Sequence, residues 1–288
     1  NSEKNIYLFP FFIITRLISA KFGRDLNEYP LVVLKPKRFN KLKKKYKIST
    51  NYLWFDVVFI ISKDLINYYS PILNRRSKIL YLPVTVDFDR FPFPANSLEE
   101  SNYITYCGDL SDSKDGTFTL IRAFAIVRTS FPETTLKLIG QNSDRNFINI
   151  LNKLITDLKL SDHIVFTGYV HPDKIPGELY KSRLLVLSRP DNIQNQGGFP
   201  TKLGEYLATG IPVAVTSVGE IPFYLKDEIN AYLAEPGDIE SFAGSMKRAL
   251  TDKGKALKVG LAGRNTALEH FSNKRQGKII SEFLAGKN

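Results

Sequence analysis

Long apolar runs are missing from this sequence, and so are the glycine signatures of the commonest nucleotide-binding loops. The best apolar stretch near the start, Ile6–Ile14, is interrupted by Pro10 and followed by Arg16, short of the roughly 20 apolar residues that span a bilayer. No basic n-region or small-residue cleavage site frames it, so it does not read as a signal peptide. It reads as one amphipathic or buried helix that begins abruptly, as though inside a domain. No G-x-x-x-x-G-K-[ST] occurs and no G-x-G-x-x-G follows a predicted strand, which argues against a P-loop NTPase and a simple NAD enzyme. Cysteine is reduced to Cys107, so no disulfide forms within the chain, and a reducing cytosol suits it. Internal repeats and low-complexity tracts are lacking too.

What is present is globular in composition, with 43% hydrophobic and 24% charged residues. The 288 residues suggest about two domains. The net charge of +11 is unevenly spread. Residues 1–92 hold 17 of the 40 Lys/Arg and 7 of the 29 Asp/Glu, leaving 23 and 22 for the remainder. The densest run is Lys35–Lys47, KPKRFNKLKKKYK, with Tyr52, Leu53, Trp54 and Phe55 close behind. Basic residues beside interfacial aromatics suit a protein lying on anionic lipid; the plainer reading is a solvated face. Nucleic-acid binding would need basic residues spread with stacking aromatics along an exposed face, and the near-neutral last two-thirds argue against it.

From residue 103 onward short β-rich runs alternate with helical patterns. Strands are predicted at 103–107, 135–139, 163–166, 184–187, 212–215 and 231–234, and helices at 117–128, 147–158, 173–181, 201–208 and 239–250. Near-continuous apolar strands alternating with helices predict a parallel sheet covered on both faces, a doubly wound α/β domain. In the first third, Asp56–Ser62 and Lys78–Leu82 read as strands around a helix at Asp64–Tyr69, a βαβ unit too small to close a sheet of its own. The Pro- and Asp-rich segment Asp87–Asn102 reads as an interdomain linker.

In such a sheet, ligands bind outside the carboxyl ends of the strands, so the residues just after each strand are informative. After the first comes Gly108-Asp109-Leu110-Ser111-Asp112-Ser113-Lys114-Asp115-Gly116, a polar loop between glycines that leads into a helix start. Helix N-termini offer free amides to an anion, and Lys114 adds a full charge; the alternative is a turn with an exposed lysine. After the strand at 184–187 a loop from Ser188 to Pro200 leads into the helix beginning Thr201-Lys202. Amides of Thr201 and Lys202 would point toward the crevice, ready for a diphosphate. Glu205, one turn further on, could accept hydrogen bonds from a pair of sugar hydroxyls, or simply face solvent.

GGFPTKLGEYLATGIPVAVTSVGEIPFYL (197–225) resembles the donor-site signature of retaining glycosyltransferases of family 4 (group 1). YCGDLSDSKDG (106–116) is similar to that family's first donor-domain loop, LKLIGQN (136–142) and IVFTGYV (164–170) to its second and third strand ends, and NAYLAEPGDIESFAGSMKRAL (230–250) to the end of the same domain. The resemblance covers about residues 56–285 and implies α/β GT-B architecture: a complete Rossmann-like donor-binding domain over 93–271 with a parallel sheet, and a partial, N-terminally truncated Rossmann-like acceptor-side domain over 1–92. The C-terminal helix, about 272–288, would pack back on the latter.

By that resemblance Glu205 would hold the ribose hydroxyls, and Lys114 the diphosphate, aided by the amides of Thr201 and Lys202. Gly168 and Tyr169 would lie beside the base, and Gly198, Phe199 and Pro200 near the transferred sugar. The family often has two glutamates eight positions apart; here the first position is Gly197. It often has an arginine after the first-loop glycine, Gly108; here that residue is Asp109, which shifts diphosphate neutralisation onto Lys114, Lys202 and Arg189. Glu28, within Asn27-Glu28-Tyr29-Pro30, is the acceptor-side candidate, whereas His163, His171 and His270 read as surface or structural residues. No metal or other cofactor is implied.

The activity implied is transfer of a sugar from a UDP- or GDP-linked donor to a glycan or lipid-linked acceptor in polysaccharide, lipopolysaccharide or capsule assembly. It would take place in the cytoplasm, with peripheral association to the cytosolic membrane face. Retention would come from front-face attack assisted by the leaving phosphate. The alternatives are a GT-B epimerase or phosphorylase, for which no acid/base residues or cofactor lysine can be assigned, and a non-catalytic nucleotide-sugar-binding remnant or scaffold.

Overall fold

A computed structural model describes residues 8–30, 52, 54–92 and 101–286. The chain opens with helix α1 (Phe9–Leu17) and strand β1 (Gly23–Leu26), followed by β2 (Val57–Ile60), helix α2 (Lys63–Tyr69) and β3 (Lys78–Tyr81). The run Asp56–Ser62 forms β2 because Val57, Val58 and Ile60 are buried. Ser62 then starts α2 by accepting a hydrogen bond from the Leu65 amide, the usual N-cap arrangement. The three strands form one parallel sheet in the order β1-β2-β3, so the βαβ unit does acquire a sheet of its own. Its extra strand, Gly-Arg-Asp-Leu, has no apolar pattern by which sequence could reveal it.

Two expectations for this part change. The helix expected near Ile6–Ile14 is shifted to Phe9–Leu17 and buries none of its residues. Its apolar side chains point to more than one side, leaving Phe11, Ile14 and Leu17 exposed. Of the aromatics expected at a lipid surface, Tyr52 and Phe55 are instead buried. Tyr52 packs edge-on against Tyr69 and Phe55 stacks on Phe22, each with ring centroids about 5 Å apart. Trp54 lies against Phe9 and Phe12 of α1. The basic run Lys35–Lys47 and Leu53 lie outside the described residues.

The second sheet follows the predicted alternation: β4 (Tyr103–Cys107), α3 (Asp112–Asp115), α4 (Thr117–Arg128), β5 (Thr135–Ile139), α5 (Arg145–Asp157), β6 (Ile164–Gly168), α6 (Ile175–Tyr180), β7 (Leu184–Leu187), α7 (Ile193–Gln196), α8 (Thr201–Thr209), β8 (Val213–Thr216), α9 (Ile221–Tyr224), β9 (Tyr232–Ala234), α10 (Ile239–Thr251), α11 (Lys253–Phe271) and α12 (Asn273–Leu284). Every residue of β7 and β8 is buried, as strands of a parallel sheet covered by helices must be. Burying each such aliphatic side chain stabilises the fold by about 1.5–3 kcal/mol.

The strand order is β6-β5-β4-β7-β8-β9, all parallel. The chain winds one way from β4 and the other way from β7. The connections leaving these two neighbours therefore part at their carboxyl ends, and the crevice between them is where such sheets take ligands.

The two sheets are joined by specific bonds. The Val86 amide donates to Phe271 O (2.7 Å) and the Asn273 amide to Val86 O (2.9 Å), so the connector pairs with the turn between α11 and α12. Ser62 Oγ donates to Gly197 O at 2.7 Å. Buried Glu220 accepts from the Lys63 amide (2.7 Å) and the Tyr81 hydroxyl (2.5 Å), which satisfies a carboxylate that would be costly to bury alone. Lys21 Nζ reaches Leu284 O at the end of α12.

Candidate functional site

The loops after β4 and β7 meet at the switch point and are stitched together. Gly116 has φ +66°, and a Cβ there would sit 2.0 Å from Ser188 O, so only glycine lets the loops approach this closely. Ser188 Oγ donates to Gly116 O (2.8 Å), Asn192 Nδ2 to Ser113 O (2.7 Å) and Asn195 Nδ2 to Lys114 O (3.0 Å). The segment expected to be an open loop contains the turn of helix α7, capped by Asn192, whose Oδ1 accepts from the Asn195 amide. Asn195 is fully buried and holds both loops by its side-chain amide. Nothing in the sequence around it marks this role, which exists only once the loops touch.

Behind this wall lies a charged cluster. Asp115 is buried, and its Oδ2 accepts from Lys202 Nζ at 2.6 Å. The Tyr106 hydroxyl is 2.9 Å from the same oxygen and 3.0 Å from Lys202 Nζ. Gly108 leaves room for this lysine: a Cβ there would stand 2.1 Å from Lys202 Nζ. The guanidinium of Arg189 is buried as well. Its Nη2 bonds Asn195 Oδ1, its Nε lies 3.4 Å from Lys114 O, and the same Nε is 4.0 Å from Asp115 Oδ1. Burial pushes both Lys202 and Arg189 below their usual pKa values, against the pull of Asp115. Arg189, expected among the diphosphate ligands, is engaged with the two loops by these contacts. Cys107, pushed up to about 11 mainly by burial, is an inert thiol at ordinary pH.

Helix α8 is fixed on β4 by Tyr206, whose hydroxyl accepts from the Cys107 amide (2.5 Å) and bonds Cys107 O (3.1 Å). Leu203, Tyr206 and Leu207 face the core at i, i+3, i+4 spacing. Thr201 stays exposed and Lys202 and Glu205 partly so. No side chain caps the start of α8 at buried Pro200, so its first amides are available to a ligand. Glu205 Oε1 accepts from Arg90 Nη1 at 2.9 Å, and Arg90 Nη2 donates to Pro172 O. Arg90 thus links the glutamate to the segment after β6, which follows Gly168 at the strand's end and begins with exposed Tyr169.

Across the crevice, Glu28 comes within 3.4 Å of Lys114 Nζ. Of the residues expected near the sugar, Gly198 borders the segment after β1: a Cβ on it would lie 3.9 Å from Asn27 O. The Phe199 ring is buried against Tyr224 and Phe271, because an aromatic beside this core gains from packing there. Gly197, where the family pattern often has an acid, faces Tyr29: a Cβ on it would lie 2.4 Å from that ring. Any larger side chain would displace Tyr29, whose hydroxyl donates to Asp64 Oδ2 at 2.5 Å.

The model of glycosyl transferases group 1 matches residues 87–266, the stretch from the connector through the crevice into α11. The chain belongs to this family. Among its relatives is a GDP-mannose-dependent alpha-(1-6)-phosphatidylinositol monomannoside mannosyltransferase of Mycolicibacterium smegmatis, 25% identical over 244 residues, which are 81% of this chain and 63% of that enzyme. The chain thus spans less than two thirds of this relative's length. An Anabaena HepE structure in complex with UDP and glucose superposes with a TM-score of 0.78 at 18% identity, over 99% of this chain and 76% of HepE. The C-terminal domain of the Francisella tularensis group 1 protein LpcC superposes over 65% of this chain and 99% of its own length, with a TM-score of 0.57 and 21% identity. These likenesses show the GT-B fold expected from the sequence.

Proposed function

We propose that this group 1 glycosyl transferase chain binds a UDP- or GDP-linked sugar in the switch-point crevice. The parent reaction is transfer of that sugar, with retention, to a glycan or lipid-linked acceptor in cell-surface polysaccharide or glycolipid assembly. The observation that carries the reading is the convergence on one crevice of the uncapped start of α8, the Lys202 ammonium and the Glu205 carboxylate. Relatives point to both bases: the mycobacterial enzyme's name specifies GDP-mannose, and HepE holds UDP.

In this reading the diphosphate rests on the Thr201 and Lys202 amides and on nearby ammonium groups. The base lies beside Gly168 and Tyr169. Arg90 holds Glu205 Oε1, leaving Oε2 for the ribose hydroxyls. The sugar lies between Gly198 and the Glu28–Tyr29 segment. Fixed positive groups stabilise the leaving diphosphate as its bond to the anomeric carbon breaks. The acceptor oxygen adds to the same face of the sugar, and its proton passes to the departing phosphate oxygen. No step is assigned to a metal ion, so chelator should leave turnover unchanged.

The test is to supply UDP- and GDP-sugars with lipid-linked acceptors, follow nucleotide release, and read the anomeric configuration of the product by NMR. Release dependent on one donor, with retained configuration, supports the proposal. Inversion would overturn the retaining mechanism, and tight nucleotide binding without turnover under any donor would leave a binding protein.

A further inference from the structure

Lys202 is folded back over β4 rather than extended toward solvent. An ammonium has three hydrogens; one meets Asp115 Oδ2 at 2.6 Å and another the Tyr106 hydroxyl at 3.0 Å. These two bonds leave one hydrogen for a ligand, beside the Gly108 backbone. Two cations, Lys202 and Arg189, share the single buried carboxylate of Asp115. Excess buried positive charge is costly unless an anion completes it. Lys114 is placed differently: it is half-exposed and already faced by Glu28 at 3.4 Å.

We propose that Lys202, rather than Lys114, is the principal cation for the donor diphosphate, and that Asp115 is a positioning residue that steers the ammonium over Gly108. This rests on the donor-site reading above. Its signature is a pH dependence. The groups facing the ammonium are Asp115 on α3, Tyr106 and Cys107 on β4 and Arg189 after β7. Burial lowers the lysine's pKa, Asp115 raises it, and Arg189 lowers it. A lysine binds phosphate oxygen strongly only while protonated, so diphosphate affinity falls as pH rises through that pKa. Removing the Asp115 charge moves the fall to lower pH.

The test is calorimetric titration of the full chain with UDP, GDP and the matching nucleosides, from about pH 7 to about pH 9.5. Wild type, Asp115→Asn, Lys202→Met and Lys114→Met are compared. Asp115→Asn should weaken diphosphate binding roughly tenfold or more, as expected for a charge-assisted hydrogen bond. Its nucleoside affinity should stay within about twofold, a negligible change on this scale, and its diphosphate loss should steepen with pH. Lys202→Met should abolish the advantage of diphosphate over nucleoside, and Lys114→Met should retain most of it. The proposal is overturned, with the donor site intact, if Asp115→Asn keeps wild-type affinity and pH profile. It is also overturned if Asp115→Asn loses nucleoside and diphosphate equally, or if Lys114→Met is the variant that removes the advantage. A wild-type chain that binds neither nucleotide overturns both this proposal and the donor-site reading.

Discussion

Arg90 shows how a residue with no marked place in the sequence comes to serve the site. Its guanidinium bridges Glu205 and Pro172 O and fixes one carboxylate oxygen. Arg90→Ala is expected to weaken nucleotide binding about three- to tenfold while leaving the melting temperature nearly unchanged, since half-exposed ion pairs add little stability. Phe199 should behave in the opposite way. Its ring is part of the core, so Phe199→Ala should cost about 3–5 kcal/mol in urea unfolding. The milder Phe199→Leu should keep nucleotide affinity. Glu205, Thr201 and Lys202 could be picked out in the sequence because a helix start after a strand sets their spacing. Asp115, Asn195 and Tyr106 could not, because their partners lie in loops far apart along the chain.

Among the elements, continuous apolar strands made the six-stranded sheet legible, with shifts of one or two residues at five of its twelve strand ends. Polar β1 carried no such pattern, and the apolar residues of α1 suggested burial that the fold does not provide. The two crevice loops were visible as glycine-bearing segments, but their mutual hydrogen bonds were not. Gly116 is where they depend on one another. Gly116→Ala is expected to cost about 2–4 kcal/mol, from the left-handed backbone and the collision with Ser188 O. Chemical denaturation would measure it, and a loss below about 0.5 kcal/mol, the size of an ordinary surface change, would mean the loops can separate at little cost.

For the whole molecule, Glu220 is the central tie between the two sheets. Glu220→Ala leaves the Lys63 amide and the Tyr81 hydroxyl without this acceptor, and is expected to lower stability by about 2–4 kcal/mol. The charge asymmetry was plain in the sequence, but its place on the surface was not, because the basic run lies outside the described residues. Among those residues no helix is long and apolar enough to cross a membrane. If the basic first third meets anionic lipid, the chain should co-sediment with phosphatidylserine vesicles at low salt and be released as salt rises. Absence of binding at low salt would remove the membrane from the proposal.

The donor crevice is the central claim, and calorimetric titration of UDP and GDP into wild type and Glu205→Ala tests it most directly. One nucleotide should bind the wild type with a dissociation constant on the order of micromolar, about −8 kcal/mol, and the substitution should weaken it at least about tenfold. Binding of neither nucleotide, or binding that Glu205→Ala leaves unchanged, would contradict the site described here.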